Sequence, residues 1–154
     1  MVLQSTYSKV IPDILTRLKI RATELQIELD PDPPTRVLLV KNGTDYIVSS
    51  TIMFREDQIR ELVDKHGFFR LIPEHHHPIK TIHYLQHAKH IITQHGSISY
   101  TNFLFFNKEA IVYGVDICPS YECESVIPHC HAISREDIET NNWLNFLGIS
   151  CDKS

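Results

Sequence analysis

The sequence predicts an α/β domain with a parallel, doubly wound sheet and helices on both faces. Three observations lead there. Short, continuous apolar runs recur at Arg36–Val40, Phe68–Ile72, His90–Thr93 and Ala110–Val115, and such runs mark strands buried on both faces. Segments with helical spacing of apolar residues alternate with them, the pattern of a parallel sheet. The 154 residues make one domain by size and can bury roughly 70% of their unfolded surface.

The elements follow in chain order. Apolar groups at Val10, Ile14, Leu15, Leu18, Leu25 and Ile27 predict one or two helices within residues 8–28, the spacing being helical up to Leu18 and looser beyond. Asp30-Pro31-Asp32-Pro33-Pro34 is a stiff breaker, so residues 1–34 read as a helical lead-in and 35–154 as the globular unit. The RVLLV run Arg36–Val40 is the first strand, and polar Lys41–Asp45 a loop. Phe54–His66 is helical, with Ile59, Leu62 and Val63 on one face and Gly67 as its stop. Phe68–Ile72 is the next strand, ended by Pro73-Glu74. Pro78–Lys89 is a helix with Pro78 suited to its first position. A strand over Ile91–Thr93, a helix over Ile98–Phe106 and a strand over Ala110–Val115 continue the alternation. Val126–Ile133 is a candidate last strand. Glu136–Leu147 is a final helix, with Ser134 as N-cap and Asp137 in its first turn.

Composition excludes several classes. A net charge of −4 argues against a dedicated nucleic-acid binder, which needs a cationic face to displace counterions. No apolar run approaches the roughly 18 residues that span a membrane, and MVLQSTYSKV lacks the apolar centre of a signal peptide. The expectation is a cytoplasmic protein, or a lumenal one if the chain is cut from a longer protein. Cys118, Cys123, Cys130 and Cys151 form no Cys-x-x-Cys pair, and reduced thiols are the default reading.

The most informative stretch is Ala88–Pro119. There a buried strand runs into His95-Gly96, then a Ser/Asn-rich helix start, then a second buried strand ending at Asp116. Ligands of parallel α/β sheets sit at the carboxyl ends of the strands, and a helix N-terminus suits a phosphate. Gly96 permits close approach of the backbone, and His95 sets an imidazole beside it. Ser97 opens the helix and Asn102 lies along it, either on its surface or orienting the turn. Asp116 suits ribose hydroxyls or caps a loop. A His-Gly turn alone is weak, and neither a Walker loop nor GxGxxG is present.

Two groups of residues raise the question of metal. His83, His87 and His90 recur at helical spacing, but no carboxylate is spaced to finish a zinc site as in HExxH. A solvated helix surface is the favoured reading. Cys118, Cys123, His129, Cys130 and His131 form a looser cluster, favoured as ordinary small thiols. Neither has the paired ligand spacing of a stoichiometric zinc site.

With these residues in view, Thr35–Pro119 resembles the carboxyl-terminal lobe of glycosyltransferase family 61, which includes plant xylosyltransferases and animal O-linked N-acetylglucosaminyltransferases. The matching segments are RVLLVKN, FREDQIRELVDKHGF, FRLIPE, AKHIITQHG, TNFLFF and VDICP. Three positions depart from the family pattern: Lys41 stands for its usual Arg, Arg55 for the Asn that precedes Glu56, and Asp116 for Glu. The resemblance implies a Rossmann-like lobe of a GT-B enzyme that binds a nucleotide-sugar and transfers the sugar with inversion, without a metal or other cofactor. The diphosphate would lie against Gly96 and Ser97, with Lys41 adding charge. His95 would stabilise the leaving nucleoside diphosphate, and Asp116 or Glu122 would accept from the ribose. Its partners would be the donor, a glycan or protein acceptor, and a second lobe or a second copy. The competing readings are a non-catalytic single lobe that binds a ligand or a protein, and a His/Cys zinc-binding protein.

Overall fold

The computed structural model describes residues 2–40, 54–93, 105–115, 130–133, 136–137 and 140. Five strands form one parallel sheet: β1 (Arg36–Leu39), β2 (Phe69–Leu71), β3 (His90–Thr93), β4 (Ile111–Val115) and β5 (Cys130–Ile133). Their order across the sheet is β2-β1-β3-β4-β5. Three α-helices are described: α1 (Val2–Glu24), α2 (Glu56–His66) and α3 (Pro78–His87), with a 3₁₀ turn at Pro73–His75. The expected α/β class and parallel sheet are therefore present.

Alternation along β1 and β3 splits the core in two. Leu38, Val40 and Ile92 pack with Phe54, Ile59 and Leu62 beneath α2. Val37, Leu39 and Ile91 pack with Leu85, Ala88 and Phe106 on the side of α3. Helices thus cover both faces, which is why β1 reads as an unbroken apolar run. Each fully buried leucine contributes roughly 1.5–3 kcal/mol of transfer free energy. Helix α1 lies outside α3, with Ala22 buried and Leu15 and Leu18 facing Ile79 and Ile82 across a cleft.

The helix boundaries show where local chemistry decides and where it does not. Helix α2 starts two residues later than Phe54. Phe54 precedes the N-cap Arg55 and joins the cluster of Ile59, five residues on at the fourth helical position, a hydrophobic staple. Gln58 Oε1 accepts from the Arg55 backbone N–H at 3.0 Å. The helix stops at Gly67, whose φ of +71° is left-handed.

Helix α1 is single, begins at Val2 ahead of the expected residue 8, continues through Pro12 and ends at Glu24, short of residue 28. Its stop is a Schellman motif without glycine. Gln26 takes the left-handed conformation (φ 57°), the Ile27 N–H reaches Ala22 O at 2.9 Å, and the Gln26 N–H reaches Thr23 O at 3.1 Å.

Helix α3 begins at Pro78 as expected, with His77 Nδ1 accepting from the Ile79 N–H at 3.2 Å. It ends at His87 rather than Lys89, because other segments claim the groups a further turn would use. The Asn107 N–H bonds Leu85 O, Asn107 Nδ2 bonds Ala88 O, and the Lys89 and His90 N–H groups both turn to Thr35 O.

The expected Ile98–Phe106 helix lies outside the described residues up to Leu104; of its last two residues, Phe106 is buried in the cluster on the side of α3. Of the Val126–Ile133 strand, Cys130–Ile133 is described. Of the Glu136–Leu147 helix, Glu136 and Asp137 are helical and the Thr140 N–H bonds Glu136 O at 3.0 Å; Ser134 lies outside the described residues.

Candidate functional site at the carboxyl edge

The strand order reverses direction at β1. From β1 the chain crosses to β2 on one side, then returns past β1 to β3 on the other. In doubly wound sheets the reversal is the topological switch point, and ligands bind outside the strand ends there. Here it falls between β1 and β3, where Leu39 and Thr93 are paired residues. Thr93 is paired in turn with Gly114 near the end of β4.

The candidate residues follow these ends in sequence. Lys41 is two residues beyond Leu39, His95 two beyond Thr93, and Asp116 two beyond Gly114. Lys41, His95, Gly96, Ser97, Asn102, Asp116 and Glu122 themselves lie outside the described residues. What the structure brings together is the set of adjacent strand ends that lead to them.

Two described side chains at this edge are chemically conspicuous, and sequence reading passed over both. Thr93 is fully buried, and its hydroxyl has no hydrogen-bond partner among the described residues. It alternates with Ile91 and so stands on the α3 side of the sheet, beside Gly114, which contributes no side chain. Thr81 near the start of α3 is likewise buried with its hydroxyl unpaired among the described residues. A buried hydroxyl without a partner costs stability. In the sequence the only signal of Thr93 was its place as the last residue of an apolar strand.

On the α2 side, Arg70 grips Glu56, with Nη1 at 2.9 Å from one carboxylate oxygen and Nη2 at 3.4 Å from the other. This bidentate pair ties the first turn of α2 to β2. Glu56, singled out by the family pattern, therefore has a structural partner. Arg70 was legible as a charge inside an apolar run. The neighbouring Arg55 Nε lies 3.2 Å from an Asp57 oxygen, and this bond holds the exposed Asp57 carboxyl below its usual range.

The opposite, amino edge carries a different group. His90 begins β3 with 2% of its surface exposed, paired with Arg36. Arg36 Nη1 donates to His66 O at 2.7 Å, closing the end of α2. Burial, and then the Arg36 and Lys89 charges, pushes the His90 imidazole below its ordinary proton affinity. Its place in β3 also removes it from the face shared by His83 and His87.

Among the described residues no three or more His, Cys, Asp or Glu side chains gather into a metal-binding group. Cys118, Cys123, Cys151 and His129 lie outside those residues, and the His131 ring stacks on Tyr113 with centroids 5.7 Å apart. No described helix is long and apolar enough to cross a membrane. No protein-family model, curated protein or solved structure matches the chain.

Proposed function

We propose that this domain binds a nucleotide-sugar at the β1/β3 switch crevice and serves as the donor-binding lobe of an inverting glycosyltransferase. The observation that carries the reading is the strand order. It sets the ends of β1 and β3 side by side, and from these ends the chain runs directly into Lys41 and into His95-Gly96. A cation, an imidazole and a glycine that admits phosphate to the backbone would then converge on one crevice. The resemblance to glycosyltransferase family 61 adds the sugar to the nucleotide.

In this reading the Gly96 and Ser97 backbone N–H groups hold the diphosphate, and Asn102 orients their turn. Lys41 contributes a point charge. His95 donates to the departing nucleoside diphosphate and so stabilises charge that grows in the transition state. Asp116 accepts from the ribose hydroxyls. The acceptor, a glycan or protein, and the base that activates it belong to a second lobe or a second copy.

Calorimetry and thermal shift against nucleoside diphosphates and their sugars test this. A ligand at 100 times its Kd stabilises the fold by about 2.7 kcal/mol, which for a chain of this size raises Tm by roughly 5–10 °C. Gly96→Val should abolish the shift and leave the sheet folded. No binding at millimolar ligand, or an unaffected Gly96→Val, overturns the proposal.

A further inference from the structure

We propose that His83 and His87 on α3 form a two-imidazole chelate for an exchangeable divalent ion of the nickel–copper group. This is independent of the nucleotide reading. Spacing alone favoured a solvated helix surface, but the hydrogen bonds change the chemistry of both rings. His83 Nε2 lies 2.8 Å from Asp30 O, and His87 Nδ1 lies 2.8 Å from His83 O. A carbonyl oxygen only accepts, so each of these nitrogens carries its proton. The lone pairs are then left on His83 Nδ1 and His87 Nε2. Metal-bound histidines are held in this way, with the second ring N–H given to a carbonyl or carboxylate that sets tautomer and orientation.

The separation of the rings fits one shared ion. A metal bonds an imidazole nitrogen at about 2.0–2.1 Å, which puts it roughly 3.2 Å from the ring centroid. Two rings on one ion would then have centroids about 4.5 Å apart at a right angle between the bonds and about 5.2 Å apart at the tetrahedral angle. The observed separation is 4.4 Å. Right-angle geometry is that of nickel(II) and copper(II), both of which suit imidazole. His83 and His87 border the cleft between α1 and α3, a space of about 200 Å³, and water would fill the remaining positions. With two protein ligands the ion exchanges, unlike a four-ligand structural zinc. Because His83 also holds the Asp30 carbonyl, loading should fasten α3 to the segment that follows α1.

Nickel(II) titration of the full chain, followed by calorimetry and by Tm, tests the assignment. The wild type should take up one tightest equivalent and gain Tm. His87→Ala should weaken that equivalent by more than about tenfold and remove the gain in Tm. His87 is exposed and alanine favours helix, so this variant keeps the fold even where His83→Ala loosens the Asp30 contact. His75→Ala, at an exposed residue outside α3, should leave the tight equivalent unchanged. Full affinity in His87→Ala, or loss of the tight site in His75→Ala, overturns the proposal.

Discussion

Replacing Thr93 with valine should stabilise the free protein and weaken the proposed nucleotide complex. The two side chains have the same shape, and valine suits a strand at least as well. The change removes one hydroxyl that is fully buried and has no partner among the described residues. Such a group costs about 1–3 kcal/mol by mutational measure. Thr93→Val should therefore raise the urea midpoint at unchanged m value and lift Tm by several degrees, at about 2–4 °C per kcal/mol for a chain of this length. In the proposed complex the hydroxyl, covered in the free protein, would be uncovered to meet a polar ligand at the β1/β3 strand ends. Its loss should cost about 0.5–1.5 kcal/mol, which is about two- to thirteenfold in Kd. Chemical denaturation and calorimetry on the same two proteins read both effects. A destabilised Thr93→Val refutes the reasoning, since it would mean that the hydroxyl is paired in the free protein. Unchanged nucleotide affinity would place Thr93 outside the ligand site.

Three further predictions concern charge, backbone and pH. His95→Ala should weaken nucleoside diphosphate binding by about 1.5–3 kcal/mol, the value of a charge-assisted hydrogen bond; Lys41→Ala should do less, and its effect should shrink as salt rises, both by calorimetry. Gly67→Ala should cost about 1–2 kcal/mol by urea denaturation, because the left-handed backbone penalises a Cβ that has open space around it. An unchanged midpoint would mean that the C-terminus of α2 rearranges freely. His90 holds its proton less tightly in the fold than in the unfolded chain, where the ordinary value is 6.5. As pH falls through that value the unfolded state binds the more protons, so stability should decline there. His90→Leu should flatten the part of that decline that His76, shifted the same way by burial, does not supply; urea midpoints between about pH 5 and 8, where histidine titrates, provide the check.

The strands were legible because burial on both faces demands a run of mostly apolar side chains. Arg36–Val40 and His90–Thr93 announce themselves this way, and their parallel pairing follows from the helices between them. Helix starts that rest on a single residue were equally plain, as Pro78 shows. What escaped were features made by contacts between distant segments. No local signal ends α3 at His87; Asn107 does, by taking the Leu85 and Ala88 carbonyls. No glycine marks the end of α1, because Gln26 takes the left-handed turn itself.

The candidate site divides the same way. The His95-Gly96 pair and the cation at Lys41 were visible as residue types following apolar runs. That their strands are neighbours, with Leu39 opposite Thr93, was not visible, since strand order joins residues more than fifty positions apart and leaves no periodic trace. Likewise the spacing of His83 and His87 stood in the sequence, while the carbonyls that fix their protons come from the fold. By itself the chain determined which segments are buried and which chemistry lies between them, because hydrophobic patterning is local. Only the tertiary structure decided which strand ends meet, where helices stop and which buried groups lack partners among the described residues, because each depends on what a distant segment brings alongside.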